Sequence, residues 1–139
     1  MKTLAAEVEV EVEFQDVDPM GIAWHGHYLK YFERARCALL RSFGYDYPGM
    51  RDSGYSWPIV DCRVRYVAAA RYGQRLRVRA TLSEWENRLR IEYLVSDAQS
   101  GERITKGYTV QVAVALPAGE LQFVSPPALL ERLERAWKN

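Results

Sequence analysis

Between Phe14 and Arg36 the chain reads FQDVDPMGIAWHGHYLKYFERAR, and this run holds Asp16, Asp18, His25 and His27. A carboxylate there can serve as a base or a nucleophile, and an imidazole can orient water or bind a metal. The same residue types also punctuate turns. Asp-Pro and Gly are common turn chemistry, and Asp caps helices. A shared metal is not expected. His-x-His at the start of a helix sets the two rings roughly 200° apart, which suits no common ion.

The flanking elements decide where such residues sit. Residues 5–14 alternate, with Ala6, Val8, Val10, Val12 and Phe14 on one side and Glu7, Glu9, Glu11 and Glu13 on the other. That period of two predicts a half-buried strand. QDVDPMG predicts a turn. From about Trp24 the period becomes helical, through Tyr28, Tyr31, Phe32, Ala35, Leu39 and Phe43, until Gly44 stops a helix of about five turns. YDYPGMRDSG, residues 45–54, reads as a loop.

Four strands are expected next: WPIVDCRVRYVA, QRLRVRATLSEW, RLRIEYLVSD and RITKGYTVQVAVAL. In the second of these, Arg75, Arg77 and Arg79 oppose Leu76, Val78, Ala80 and Leu82. In the next, Leu89, Ile91, Tyr93 and Val95 face inward. The last puts Tyr108, Val110, Val112 and Val114 on one side. Pro117 and Gly119 end it, and ALLERLERAWKN predicts a short amphipathic C-terminal helix. A lone helix with an apolar stripe must bury it. The predicted class is therefore α+β: a five-stranded antiparallel sheet wrapped around one long central helix, in a single domain over residues 1–139. The glutamate face of the first strand complements the arginine row, so those two strands are expected to be neighbours.

Composition bounds the function. The chain has 139 residues, 48% of them hydrophobic, and a net charge of +1, which argues against a nucleic-acid or membrane-surface protein. No apolar run reaches the length of a membrane span. The N-terminus enters an alternating strand with no apolar leader segment, so a cytoplasmic protein is expected. Cys37 and Cys62 are expected to be reduced and buried.

Asp16-Val17-Asp18-Pro19-Met20-Gly21, followed by Ile22, Trp24, His25, Tyr28 and Tyr31-Phe32-Glu33-Arg34-Ala35-Arg36, resembles the signature of the 4-hydroxybenzoyl-CoA thioesterase family of hotdog folds. RVRYVAAARYGQRLRV resembles the stretch leading into that family's third strand. The resemblance covers roughly residues 7 to 116. It implies hydrolysis of a short-chain or aromatic acyl-CoA to free acid and coenzyme A, without a cofactor. It implies Asp18 as the catalytic carboxylate, and the backbone N–H of His25 as the donor to the thioester oxygen. Pattern alone favours a turn role for Asp18, and the surrounding motif reverses that preference. Asp16 is expected to be a turn acceptor, while the His25 side chain is open between catalysis and merely starting the helix.

The resemblance extends to binding. Gly21, Trp24, Gly26, Tyr28, Trp57, Ile59 and Asp61 are the candidate substrate-binding residues, although aromatics at helical spacing, such as Tyr28, are equally core residues. The family carries basic residues after a Trp between its third and fourth strands. Here Trp85 is followed by Glu86 and Asn87, so Arg71, Arg88 and Arg90 stand as the candidate coenzyme A phosphate ligands. Two subunits are expected to join edge to edge with each active site at the interface, and a tetramer is expected by analogy. Two alternatives are a hotdog hydratase or dehydratase, disfavoured because no His-Phe-Pro occurs, and a non-catalytic acyl- or protein-binding module.

Overall fold

In the computed structural model, which describes residues 3–138, strand β1 (Ala5–Glu11) opens the chain. Helix α1 (Tyr28–Ser42) follows, entered through a 3-10 turn at His25–His27. Its apolar stripe of Tyr28, Tyr31, Phe32, Ala35 and Leu39 is buried. Gly44, with φ of 73°, ends it as expected.

Strands β3 (Ile59–Tyr66), β4 (Arg75–Glu84), β5 (Leu89–Asp97) and β6 (Arg103–Gln111) join β1 in one antiparallel sheet of order β1-β4-β5-β6-β3. Helix α3 (Pro127–Lys138) buries Leu129 and Leu133 against the core. Among the described residues no helix is long and apolar enough to cross a membrane. The architecture is the α+β hotdog arrangement that the resemblance implied.

The expected β1–β4 pairing is present in register. Glu7 faces Arg79, Glu9 faces Arg77 and Glu11 faces Arg75. Three exposed ion pairs result, Arg79–Glu7 at 3.2 Å, Arg77–Glu7 at 3.7 Å and Arg75–Glu9 at 3.9 Å. Solvent screening limits such pairs to a fraction of a kcal/mol each, so they fix partner choice more than stability. The opposite face, with Leu76, Val78, Ala80, Leu89, Ile91 and Val95, forms the core. There the Phe32 ring stacks on Tyr93, with centroids 4.4 Å apart and planes 4° apart. Gly107 leaves room for this ring, because a Cβ there would overlap the Arg63 carbonyl and Phe32.

Several expectations need correction. The loop over residues 45–54 contains helix α2 (Tyr47–Asp52), started by Asp46 at the cap and Pro48 in the first turn. The first strand stops at Glu11, and Phe14 lies 81% exposed in a separate 3-10 turn. The last expected strand is divided. After Gln111 it bends into β7 (Val114–Ala115), which joins β2 (Tyr55–Ser56) and β8 (Glu120–Leu121) in a second small sheet. Cys37 and Cys62 are exposed, not buried. The reason is geometric: α1 packs chiefly over β1, β4 and β5, and the edge strand β3 is left exposed along most of its length.

Candidate active site

The Asp16–Gly21 motif folds as a stitched turn. Asp18 N–H donates to the Ile22 carbonyl and Gly21 N–H to the Asp18 carbonyl, both at 2.9 Å. The return needs φ of 77° at Gly21, a region that other residues rarely enter. The Asp18 carboxylate is half-buried, and its Oδ1 accepts the Met20 N–H at 2.8 Å. Both earlier readings of Asp18 are thus physically compatible: one oxygen shapes the turn and the other is uncommitted.

Asp16 acts as the expected turn acceptor and does more. It is buried, takes the Glu13 N–H on Oδ2 and meets Lys30 Nζ at 3.3 Å on Oδ1. Its backbone carbonyl accepts the Trp24 N–H. Burial pushes its carboxyl pKa up, but the Glu13 N–H, the Lys30 ammonium and the Tyr31 hydroxyl outweigh it and hold the pKa below the usual value. Asp16 in turn joins burial in raising the Tyr31 phenol. This single side chain therefore ties the turn to the first residues of α1.

Further stitches hold the turn from the other side. Ile22 bridges Arg71, Ala23 N–H donates to the Ala70 carbonyl at 2.8 Å and Tyr72 N–H to the Gly21 carbonyl at 3.1 Å. The 3-10 turn at His25–His27 has no side-chain cap among the described residues. The first N–H groups of such a turn lack intrahelical acceptors and point back toward the preceding residues. Trp24 lies across Gly26, where a Cβ would overlap its indole. The exposed His25 ring lies 4.8 Å from Trp24 and 6.4 Å from Tyr66, centroid to centroid.

Tyr66 was not foreseen. Its hydroxyl donates to the His25 carbonyl at 2.8 Å, tying the end of β3 to the start of α1. Only the strand register could have revealed it, since 41 residues separate the pair. Tyr28 is buried, its hydroxyl accepts the Ala70 N–H at 3.2 Å and its ring packs on Tyr31 and Tyr66. It therefore supports the turn from beneath.

The remaining candidates lie elsewhere in this chain. Trp57 and Ile59 line a cavity of about 500 Å³ with Cys37, Leu40 and Met50, and no residue of the Asp18 turn takes part. Buried Trp57 donates its indole N–H to the Tyr45 hydroxyl at 3.0 Å. Asp61 accepts the Tyr108 hydroxyl at 3.2 Å on the outer sheet face. The three candidate phosphate ligands do not converge. Exposed Arg71 borders the turn. Arg88 and Arg90 lie at the far end of ten-residue β4, about 30 Å away at the usual strand rise. Arg88 is held by Glu84 at 2.8 Å, and Arg90 by Glu92 at 3.4 Å.

A hotdog domain with a half-free aspartate before an uncapped helix start defines a recognisable class. Residues 12–133 match the model of the Thioesterase-like superfamily, and the chain belongs to it. The Synechocystis sp. protein sll0410, named provisionally as an esterase, is 31% identical over 128 residues, covering 91% of this chain and 77% of that protein. An Escherichia coli acyl-CoA thioester hydrolase, YbgC, is 25% identical over 83 residues, which span 60% of this chain and 62% of the relative. The crystal structure of Slr0204, a 1,4-dihydroxy-2-naphthoyl-CoA thioesterase from Synechocystis, superposes with a TM-score of 0.82. The match covers 93% of this chain and 95% of that one at 23% identity, a likeness of fold.

Proposed function

We propose that this protein hydrolyses the thioester of a short-chain or aromatic acyl-coenzyme A, with Asp18 as general base or nucleophile. Its place among the thioesterase-like proteins, several of them named as acyl-CoA thioester hydrolases, supports the reaction class. The observation that carries the residue assignment is the turn itself. It offers one uncommitted carboxylate oxygen in the segment that leads into the uncapped N–H groups at His25 and Gly26.

In this reading the thioester carbonyl accepts hydrogen bonds from those N–H groups, where the helix start favours negative charge. Asp18 takes a proton from water as the water oxygen attacks the carbonyl carbon, or attacks that carbon itself to give a mixed anhydride that water hydrolyses after the thiolate has left, releasing the acid and restoring the carboxylate. The tetrahedral oxyanion collapses, the C–S bond breaks and coenzyme A leaves as a thiolate, which needs no strong general acid. The His25 ring borders the same space.

The acyl pocket is completed by a second copy. Strand β3 is a free edge bearing exposed Ile59, Val60, Tyr66 and Val67. Its Tyr66 end touches the helix start through His25, while its Ile59 end borders the Trp57 cavity. Antiparallel pairing of two β3 edges about a twofold axis places one copy's Trp57–Ile59 cavity beside the other copy's Asp18 turn. The decisive experiment is thiol release from a panel of acyl-CoA esters by the wild type and Asp18→Asn. We expect the variant to lose most turnover while retaining its far-UV circular dichroism. Full turnover by the variant on every ester that the wild type cleaves refutes the assignment.

A further inference from the structure

The outer face of the sheet is uneven in charge. Its β1–β4 half is balanced by the Glu–Arg ladder. Its β5–β6–β3 half is not. There a concavity of about 450 Å³ is lined by Arg63, Arg65, Arg103 and Lys106, together with Tyr108 and Leu94.

One acid, Glu92, and one more arginine, Arg90, also line it, a second acid, Asp61, is bonded to its Tyr108, and all three are engaged. Glu92 pairs with Arg90 at 3.4 Å, Asp61 accepts the Tyr108 hydroxyl, and Arg90 lies 4.3 Å over the Tyr108 ring. Among the described residues, Arg63, Arg65, Arg103 and Lys106 have no carboxylate within ion-pair distance, whereas the arginines facing β1 all have one. Arg65 and Lys106 also stand directly opposite each other in the β3–β6 register. Like charges in that relation destabilise a sheet, so the sequence breaks a local rule here without an internal remedy.

We propose that this concavity is a binding site for a polyphosphate anion of nucleotide size. Its volume suits such a ligand. Guanidinium and ammonium groups converging from two strands supply charge-assisted hydrogen bonds, which are the strong kind for phosphate oxygens. The ligand has two possible sources of the same chemistry: the phosphorylated nucleotide end of the coenzyme A ester, which rests on the thioesterase reading, or a free nucleotide. Neither uses Arg88 or Arg90, whose charge is already met by glutamates.

The test uses the full chain and an Arg65→Gln/Lys106→Gln double variant, both residues being exposed and outside the proposed catalytic turn. Calorimetric titration with inorganic pyrophosphate, ADP and coenzyme A at low ionic strength should show binding by the wild type. The variant should bind roughly tenfold more weakly, as expected for the loss of one or two charge-assisted contacts. The variant should also melt no lower than the wild type, since a like-charge pair has been removed. A raised KM for acyl-CoA, with unchanged turnover of an acyl-pantetheine lacking the nucleotide, identifies the substrate's own nucleotide as the ligand. Nucleotide binding with KM unchanged identifies a separate nucleotide site. Anion binding without any ester hydrolysis keeps the site and removes the thioesterase reading. Equal affinity of wild type and variant for all three probes, or no binding by either, overturns the proposal.

Discussion

Asp16 and Asp18 sit two residues apart and do different work because their surroundings differ. Asp16 is buried among a backbone N–H, a lysine and a phenol, which together hold its carboxyl below the usual range. A carboxyl with a depressed folded-state pKa contributes stability above its ordinary pKa near 4, and that stability is lost as pH falls through the folded value. Asp16→Asn should therefore lower stability by about 1–3 kcal/mol near neutrality, the usual cost of breaking a buried hydrogen-bonded acceptor. The gap to the wild type should shrink below about pH 4. Urea unfolding at pH 7 and pH 3 checks this, and a gap that is the same at both refutes it. The division of labour was legible in part from Asp-x-Asp-Pro-x-Gly, which marks a turn before a helix. The Met20 N–H on Asp18 and the Lys30 contact were not, because each depends on side-chain direction within a turn that the residue pattern leaves open.

At the scale of elements, legibility followed the strength of the periodicity. The β1–β4 ladder and α1 were readable because alternation and the helical stripe persist over many residues. Helix α2 was hidden because six residues containing Pro48 and Gly49 carry no usable period. The exposure of Cys62 was hidden too, since strand pattern does not say which strand is an edge. Gly107 is another position whose meaning emerged only from packing. Gly107→Ala should cost about 1–3 kcal/mol by overpacking, since the added methyl meets both the Arg63 carbonyl and Phe32. A fall in urea midpoint with an unchanged m-value would bear this out, whereas no change would show that the Phe32–Tyr93 stack can yield freely. Likewise, Arg132 donates to the Gly44 carbonyl at 3.1 Å and lies 5.1 Å over the Tyr45 ring, clamping α3 to the end of α1. Arg132→Ala should loosen that clamp by about 1 kcal/mol, read as a lower thermal midpoint. An unchanged midpoint would make the contact ornamental.

For the molecule as a whole, the near-zero net charge conceals both a basic half-face and an unsatisfied strand edge. If the edge takes a second copy, a double change of Ile59→Glu and Val60→Glu should weaken self-association at least about tenfold, as burying like charges at an interface core does. Sedimentation equilibrium measures it, and a wild type that stays monomeric at high concentration removes the dimer. The exposed edge strand β3 has a further consequence, for local stability rather than for binding. Strands β4 and β5 are flanked on both sides and packed under α1, whereas β3 is bonded on one side only and is exposed along most of its length. The sheet therefore has a centre protected on both sides and an edge strand that can fray independently. Amide protons of β3 should exchange with solvent far sooner than those of β4, and their lifetimes should lengthen with protein concentration only if another chain docks along that edge.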